Sequence, residues 1–282
     1  MKTKKVEVSR NVSIGGDAPL AIISGPCVIE SEDFTLFMAE KLLAIASKHK
    51  IPFIFKSSFD KANRSSIHSY RGPGLEEGLE ILSKVKAKLG VPLLTDIHEP
   101  EQAQSAAEVV DIIQIPAFLA RQTDLIVAAA KSGKIVNVKK GQFMAPWDMK
   151  NVVEKVESVG CHDLFLTERG VSFGYNRLIV DMMAFPIMRS FGYPVIFDTT
   201  HAVQLPAGEG HRTGGMRDMI PYLARAAVAT GIDALFLEVH ENPSKAKSDA
   251  TNCLALDDFE KIICTACELD HYLREKQNDE KN

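Results

Sequence analysis

The chain has 282 residues and no stretch that approaches about 18 uncharged apolar residues, so no membrane span is expected. Its first residues, MKTKKVEVSR, lack the apolar centre of a secretory signal. The five cysteines are odd in number and scattered, which speaks against a secreted disulfide framework and for a reducing cytoplasm. The formal net charge of −4 leaves no basic excess for a broad nucleic-acid surface, although it permits a local basic pocket. No glycine-rich dinucleotide fingerprint follows the first apolar run, which argues against an open doubly wound sheet. Composition does not shift along the chain, so residues 1–282 are expected to form a single domain.

What is present is a series of eight short apolar runs, each ending in polar groups. PLAII leads to Ser24, Gly25, Pro26 and Cys27, PFIF to Lys56, VPLLT to Asp96 and His98, and VVDII to Gln114. IVNV leads to Lys139 and Lys140, LFLT to Glu168 and Arg169, and PVIF to Asp198 and His201, while ALFLEVH carries Glu238 and His240. Segments of helical spacing separate the runs, and parallel strands need such crossovers. Eight units predict an α/β fold, a TIM (β/α)8 barrel with its catalytic groups at the carboxyl ends of the strands. Residues 5–15 read as an N-terminal β-hairpin and 276–282 as a frayed tail. Ser31 is the expected N-cap of a helix over 32–50, and Gly90 ends one over 74–90. A sixth helix expected over 177–192 contains Pro186, which predicts a kink or an early break. The connections at 56–74 and 200–215 exceed the usual βα loop of about 2–6 residues, and suit a substrate clamp and a mobile lid.

The first long loop begins at Lys56 and holds Lys61, Asn63, Arg64 and Ser65, which are phosphate-binding residue types. Lys139 and Arg169 are expected at the same mouth. Several cations at one opening point to two anionic groups or one doubly charged ligand; the alternative is local pairing with Asp60, Asp96 or Glu168. Strands one, seven and eight of a closed barrel are adjacent, so Cys27, His201 and Glu238 can meet, joined by Asp249 from the loop after strand eight. One thiolate, one imidazole and two carboxylates suit a divalent ion such as Fe2+, Zn2+ or Mn2+. The alternative is a buried apolar thiol beside a hydrogen-bonded histidine. Cys264 and Cys267 form a CxxC on an amphipathic helix with no second pair, and with Cys161 and Cys253 they read as packing residues. His98 and His240 flank the mouth, either orienting ligands or serving the structure. Trp147 is expected to pack against a loop or helix start, and Phe118 and Arg121 to line the mouth or reach a neighbouring subunit.

Longer motifs carry a resemblance. SGPCVIES, FKSSFDKANRSSIHSYRGPG, TDIHE, IIQIPAFLARQTDL, VNVKKGQFMAPWD, LTERGVSFGYN and HAVQLP lie between about residues 20 and 260. Over that span the chain resembles the 3-deoxy-D-manno-octulosonate 8-phosphate synthase family. The resemblance implies a cytoplasmic homotetramer that condenses phosphoenolpyruvate with D-arabinose 5-phosphate in lipopolysaccharide precursor synthesis. By position, Lys56, Lys61, Gln114, Lys139 and Arg169 would hold phosphoenolpyruvate, and Asn63, Arg64 and Ser65 the sugar phosphate. His201, Asp249 and Lys61 would be the catalytic residues, the first two handling protons. The family has metal-dependent and metal-independent forms, the former with cysteine where the latter has asparagine. Cys27 and the KSDATN segment match the metal-dependent form, which implies one divalent ion on Cys27, His201, Glu238 and Asp249. Thr199 and Thr213 depart from the usual pattern around the second long loop, with consequences expected for lid kinetics rather than reaction class. A heptulosonate synthase using erythrose 4-phosphate on the same fold is the alternative enzyme, disfavoured by KANRSS. A catalytically silent phosphosugar-binding barrel is the alternative from another class.

Overall fold

The eight apolar runs form eight parallel strands of a closed barrel in the computed structural model, which describes residues 2–64, 66–206 and 214–279. A hairpin of β1 (Val6–Ser9) and β2 (Val12–Ile14) comes first. There follow β3 (Ala21–Gly25), α1 (Glu32–Lys48), β4 (Phe53–Lys56), α2 (Leu75–Leu89), β5 (Leu93–Asp96) and α3 (Gln102–Val109). Next come β6 (Ile112–Ile115), α4 (Thr123–Lys131), β7 (Ile135–Lys139), α5 (Met149–Glu157) and β8 (Leu164–Glu168). A small ribbon of β9 (Val171–Ser172) and β10 (Leu178–Ile179) precedes α6 (Ala184–Arg189), β11 (Val195–Asp198) and the single turn α7 (Thr199–Ala202). A second ribbon of β12 (Gln204–Leu205) and β13 (Gly214–Gly215) leads to α8 (Ile220–Ala229), β14 (Ala234–Glu238) and α9 (Leu256–Asp279). The barrel runs β3-β4-β5-β6-β7-β8-β11-β14 and closes by pairing β14 with β3.

Side chains alternate across a strand, so one parity fills the barrel and the other packs under the helices. Ala21, Ile23, Ile54, Leu94, Ile112, Ile135, Phe165, Ile196, Ala234 and Phe236 form the interior, continuous with Val6, Val8, Val12 and Ile14 of the hairpin. The hairpin thus plugs the amino-terminal end with apolar groups. Outward-facing Ile22, Phe55, Leu93, Ile113, Val136, Leu166, Phe197 and Leu235 pack with the helices in a second, larger cluster. With one end plugged, the carboxyl end is left for polar groups.

Local signals act as the sequence predicts at two helix ends. The Ser31 side chain accepts from Phe34 N at 3.2 Å, and Gly90 takes the left-handed conformation at φ 63° that ends α2. The helix expected over 177–192 is mostly absent. Leu178 and Ile179 instead pair with Ser172 and Val171, and α6 starts only at Ala184. Pro186 then lies in the first turn, where its missing N–H is harmless; it sets where the helix begins rather than kinking a longer one. The α9 helix includes residues 276–279, and 280–282 fall outside the described residues. Trp147 sits in a helix-start turn, as expected, but is 63% exposed rather than packed. No described helix is long and apolar enough to cross a membrane.

Candidate active site at the carboxyl end of the barrel

Above the apolar interior, the inward parity turns polar. Lys56, Asp198 and Glu238 follow Ile54, Ile196 and Phe236 by two residues, so they face the interior one layer higher. Lys139 shares the parity of Ile135, and Arg169 that of Phe165. Lys140 and Glu168 have the opposite parity and lie 3.5 Å apart behind the wall. Gly25 lets β3 and β4 approach there, since an added Cβ would lie 1.8 Å from Lys56 O.

Each interior lysine pairs with a carboxylate one strand removed, β4 with β14 across β3 and β7 with β11 across β8. Lys56 Nζ donates to Glu238 Oε1 at 2.7 Å and to Cys27 O at 2.9 Å. Lys139 Nζ donates to Asp198 Oδ2 and lies 3.9 Å from the centre of the Phe236 ring. Local pairing with Asp60 or Asp96 does not occur for these lysines: Asp60 takes Arg71, and Asp96 takes Ser58 and His98. Burial raises the Asp198 carboxyl, but His201 and Lys139 outweigh it and hold it well below the usual range. Burial likewise raises Glu238, and His201 and Lys56 bring it below its usual value. Lys139 is pulled down by burial.

Cys27, Glu238 and Asp249 offer donor atoms that all lie within 4.8 Å of one another. Cys27 Sγ is 3.0 Å from Asp249 Oδ2. His201 Nε2 lies 3.5 Å from Glu238 Oε2 and 3.8 Å from Asp249 Oδ2. Asp198 holds this histidine twice: Oδ1 accepts from His201 N at 3.0 Å, capping α7, and Oδ2 lies 2.7 Å from Nδ1. The Nδ1 contact is an ion-pair distance without hydrogen-bond geometry, and Nε2 faces Glu238 and Asp249. Asp249 has φ 50°, a left-handed conformation that aspartate adopts more readily than most residues. Burial and the Glu238 charge push the Cys27 thiol well above its ordinary range. Three of the four expected donors, Cys27, Glu238 and Asp249, therefore meet, and His201 stands beside the two carboxylates without joining that group; the chemistry of the set fits a divalent cation.

A cavity of about 720 Å3 opens beside this cluster, lined by Lys61, Asn63, Arg64, Arg169, His201 and Asp249 among others. Arg64 donates to Ser248 Oγ at 2.6 Å and to Lys247 O at 3.1 Å. Arg169 Nη2 donates to Gln204 Oε1 at 2.6 Å, and its buried Nη1 has no partner among the described residues. Burial lowers Lys61, but Cys27, Asp96, Glu238 and Asp249 outweigh it and hold the ammonium well above its usual range. Gln114 lies deeper: its Oε1 accepts from Asn137 Nδ2 at 3.0 Å, and Asn137 Oδ1 from Thr167 Oγ1 at 2.6 Å. Ser65, and residues 207–213 with Thr213, fall outside the described residues. Thr199 is buried.

The other sequence candidates separate cleanly. Phe118 lines the cavity and is 56% exposed. His98 Nε2 is 3.2 Å from Asp96 Oδ2, and His240 Nε2 is 3.3 Å from Glu30 Oε1, so both have local carboxylates. All five cysteines are free, and Cys161, Cys253, Cys264 and Cys267 join no metal-capable group among the described residues. Gln204 and Ser248 were not singled out by sequence, although both touch the site. They fall inside HAVQLP and KSDATN, but uncharged side chains give no charge signal.

The DAHP synthetase I family model matches residues 3–275. The chain belongs to this family. Within it, a protein of Geotalea daltonii called 2-dehydro-3-deoxyphosphooctonate aldolase is 60% identical over 260 residues, 92% of this chain and 95% of that protein. A protein of the same name from a Cyanothece species is 60% identical over 259 residues, covering 92% and 95%. Another, from Trichlorobacter lovleyi, is 58% identical over 272 residues, covering 96% and 100%.

The buried lysine–glutamate pair gives a stability test. Lys56→Met leaves Glu238 buried without its cation, and is expected to cost about 3–5 kcal/mol in chemical denaturation of metal-free protein. Lys56→Met/Glu238→Gln should recover most of that loss; a double variant as unstable as the single one would show that the pair is not the cause.

Proposed function

We propose that this chain condenses phosphoenolpyruvate with D-arabinose 5-phosphate and water, giving 3-deoxy-D-manno-octulosonate 8-phosphate and inorganic phosphate. The observation that carries this reading is near 60% identity to 2-dehydro-3-deoxyphosphooctonate aldolases over more than nine tenths of the chain. The geometry supports it, because one cavity offers separate cationic groups, Lys61, Arg64 and Arg169, for three anionic groups on two substrates.

In this reading Arg169 and Lys61 take the phosphoenolpyruvate anion with Lys56, Lys139 and Gln114 beneath, and Asn63, Arg64 and Ser65 take the sugar phosphate. Fixing both substrates brings the vinyl C3 against the aldehyde carbon, converting a bimolecular encounter into a positioned one. C3 bonds to the aldehyde carbon, whose oxygen becomes a hydroxyl on gaining a proton. Water adds at C2 and loses a proton, leaving a C2 hydroxyl; the C2–O bond to phosphate then breaks with its electron pair going to phosphate, as that hydroxyl becomes the C2 ketone and its proton passes to the departing inorganic phosphate. Lys61, held protonated, is placed to donate to an oxyanion. Asp249 and His201, at the cavity wall, are the proposed proton-handling groups; with an ion on His201 Nε2 the water's proton passes to the Asp249 carboxylate.

We also propose the metal-dependent form, with one divalent ion, Fe2+, Zn2+ or Mn2+, on Cys27, His201, Glu238 and Asp249. Such an ion, when bound, supplies Lewis acidity toward an aldehyde or water oxygen. The convergence of Cys27, Glu238 and Asp249, with His201 Nε2 3.5 Å from Glu238 Oε2 and 3.8 Å from Asp249 Oδ2, supports it. We propose a homotetramer; the exposed aromatic groups Phe118, Phe143, Phe173 and Tyr175, on loops that follow barrel strands, suit contact with another copy of the chain. A cytoplasmic location fits five free thiols.

Phosphate release should follow addition of phosphoenolpyruvate with arabinose 5-phosphate and not with erythrose 4-phosphate; the opposite preference contradicts the assignment. Under the same assay Arg64→Ala should raise KM for the pentose phosphate by at least about tenfold, as loss of a charge-assisted contact implies. An equal loss for phosphoenolpyruvate would remove Arg64 from the sugar side. Chelation should abolish activity and Fe2+, Mn2+ or Co2+ restore it, whereas full activity in protein shown metal-free by elemental analysis would refute the metal-dependent form.

A further inference from the structure

Gln204, the first residue of β12, touches both halves of the site. Its Nε2 donates to Asp249 Oδ1 at 2.9 Å, and its Oε1 accepts from Arg169 Nη2 at 2.6 Å. Each end of the amide is matched to its partner, donor to carboxylate and acceptor to guanidinium. With Oδ1 held, Asp249 presents Oδ2 toward Cys27 Sγ and His201 Nε2 at 3.0 and 3.8 Å. With Nη2 held, Arg169 keeps its buried, unpartnered Nη1 for an anion. The backbone anchors the same residue. Gln204 pairs with Gly215, and a Cβ on Gly215 would lie 1.5 Å from Asn252 Oδ1, so the ribbon rests against the loop that carries Asp249.

We propose that Gln204 is a positioning residue that ties the anion-binding arginine to the metal-binding carboxylate, so that one amide sets the orientation of both. The proposal rests on the metal and phosphoenolpyruvate assignments above. It predicts that the two sites are energetically linked, since a ligand that orders either partner of a shared amide favours the other.

Gln204→Met tests it, because methionine keeps length and volume while removing both polar atoms. Full-length protein stripped of metal is titrated with Co2+, followed by the thiolate-to-cobalt absorption of Cys27, and KM for phosphoenolpyruvate is read from phosphate release. The expected result is Co2+ affinity lower by at least about tenfold, the scale of lost support for a metal ligand, a raised KM for phosphoenolpyruvate, and an unchanged melting midpoint of the metal-free protein. Gln204→Asn, one methylene too short to span both partners, should show the same two losses. Wild-type Co2+ affinity and KM in both variants would overturn the proposal. Wild-type protein that develops no thiolate band overturns the metal assignment and the proposal with it, and is distinguished because the failure appears without any substitution.

Discussion

Lys56, Lys139, Asp198 and Glu238 lie inside the carboxyl end of the barrel, all nearly inaccessible to solvent, and the rest of the site depends on how their charges are balanced. An isolated buried charge is expensive, so each ion here faces an opposite one contributed by the next strand but one. Asp198 is the most connected of the four. It pairs with Lys139, caps α7 and orients His201. Glu238 joins the buried lysines to the metal-capable cluster, since one oxygen faces Lys56 and the other His201. Such a set is intolerant of single losses but well placed to hold ligands rigidly.

Above this set the groups come from loops and are less constrained. Arg64 is bonded to Ser248 and Lys247, in the loop that also supplies Asp249. Ser248 Oγ in turn lies 3.0 Å from Cys27 Sγ. The Arg64 side of the cavity therefore shares the Ser248 hydroxyl with the Cys27 thiol, while Gln204 joins Arg169 to Asp249. A rigid charged floor with an adjustable rim suits an enzyme that must bring two anionic substrates together before they react.

Much of this was legible in the chain because the relevant signals are local. An apolar run of four or five residues followed by a charge marks a strand and its carboxyl end, so Lys56, Asp96, Lys139, Glu168, Asp198 and Glu238 all announced themselves. The metal-capable set was legible because barrel closure makes strands one, seven and eight neighbours. What was not legible is the pairing. Lys56 meets Glu238 across 182 positions and Lys139 meets Asp198 across 59, and no local pattern encodes such partners. The sixth helix misled for a different reason: hydrophobic residues at 178–188 suit either a helix or a short ribbon, and only tertiary pairing with Val171 and Ser172 decides. Gln204 and Ser248 escaped notice because a neutral side chain between charged ones becomes informative only when distances are known.

The proposed divalent-ion site joins the buried charged groups of the barrel to the loop after β14, beside the cavity. Anomalous diffraction from crystals of Mn2+-loaded protein tests it most directly. The account predicts one strong peak per chain within bonding distance of Cys27 Sγ, His201 Nε2, Glu238 and Asp249. A peak bound by other residues, or none at that point in crystals whose protein carries stoichiometric metal, would contradict it.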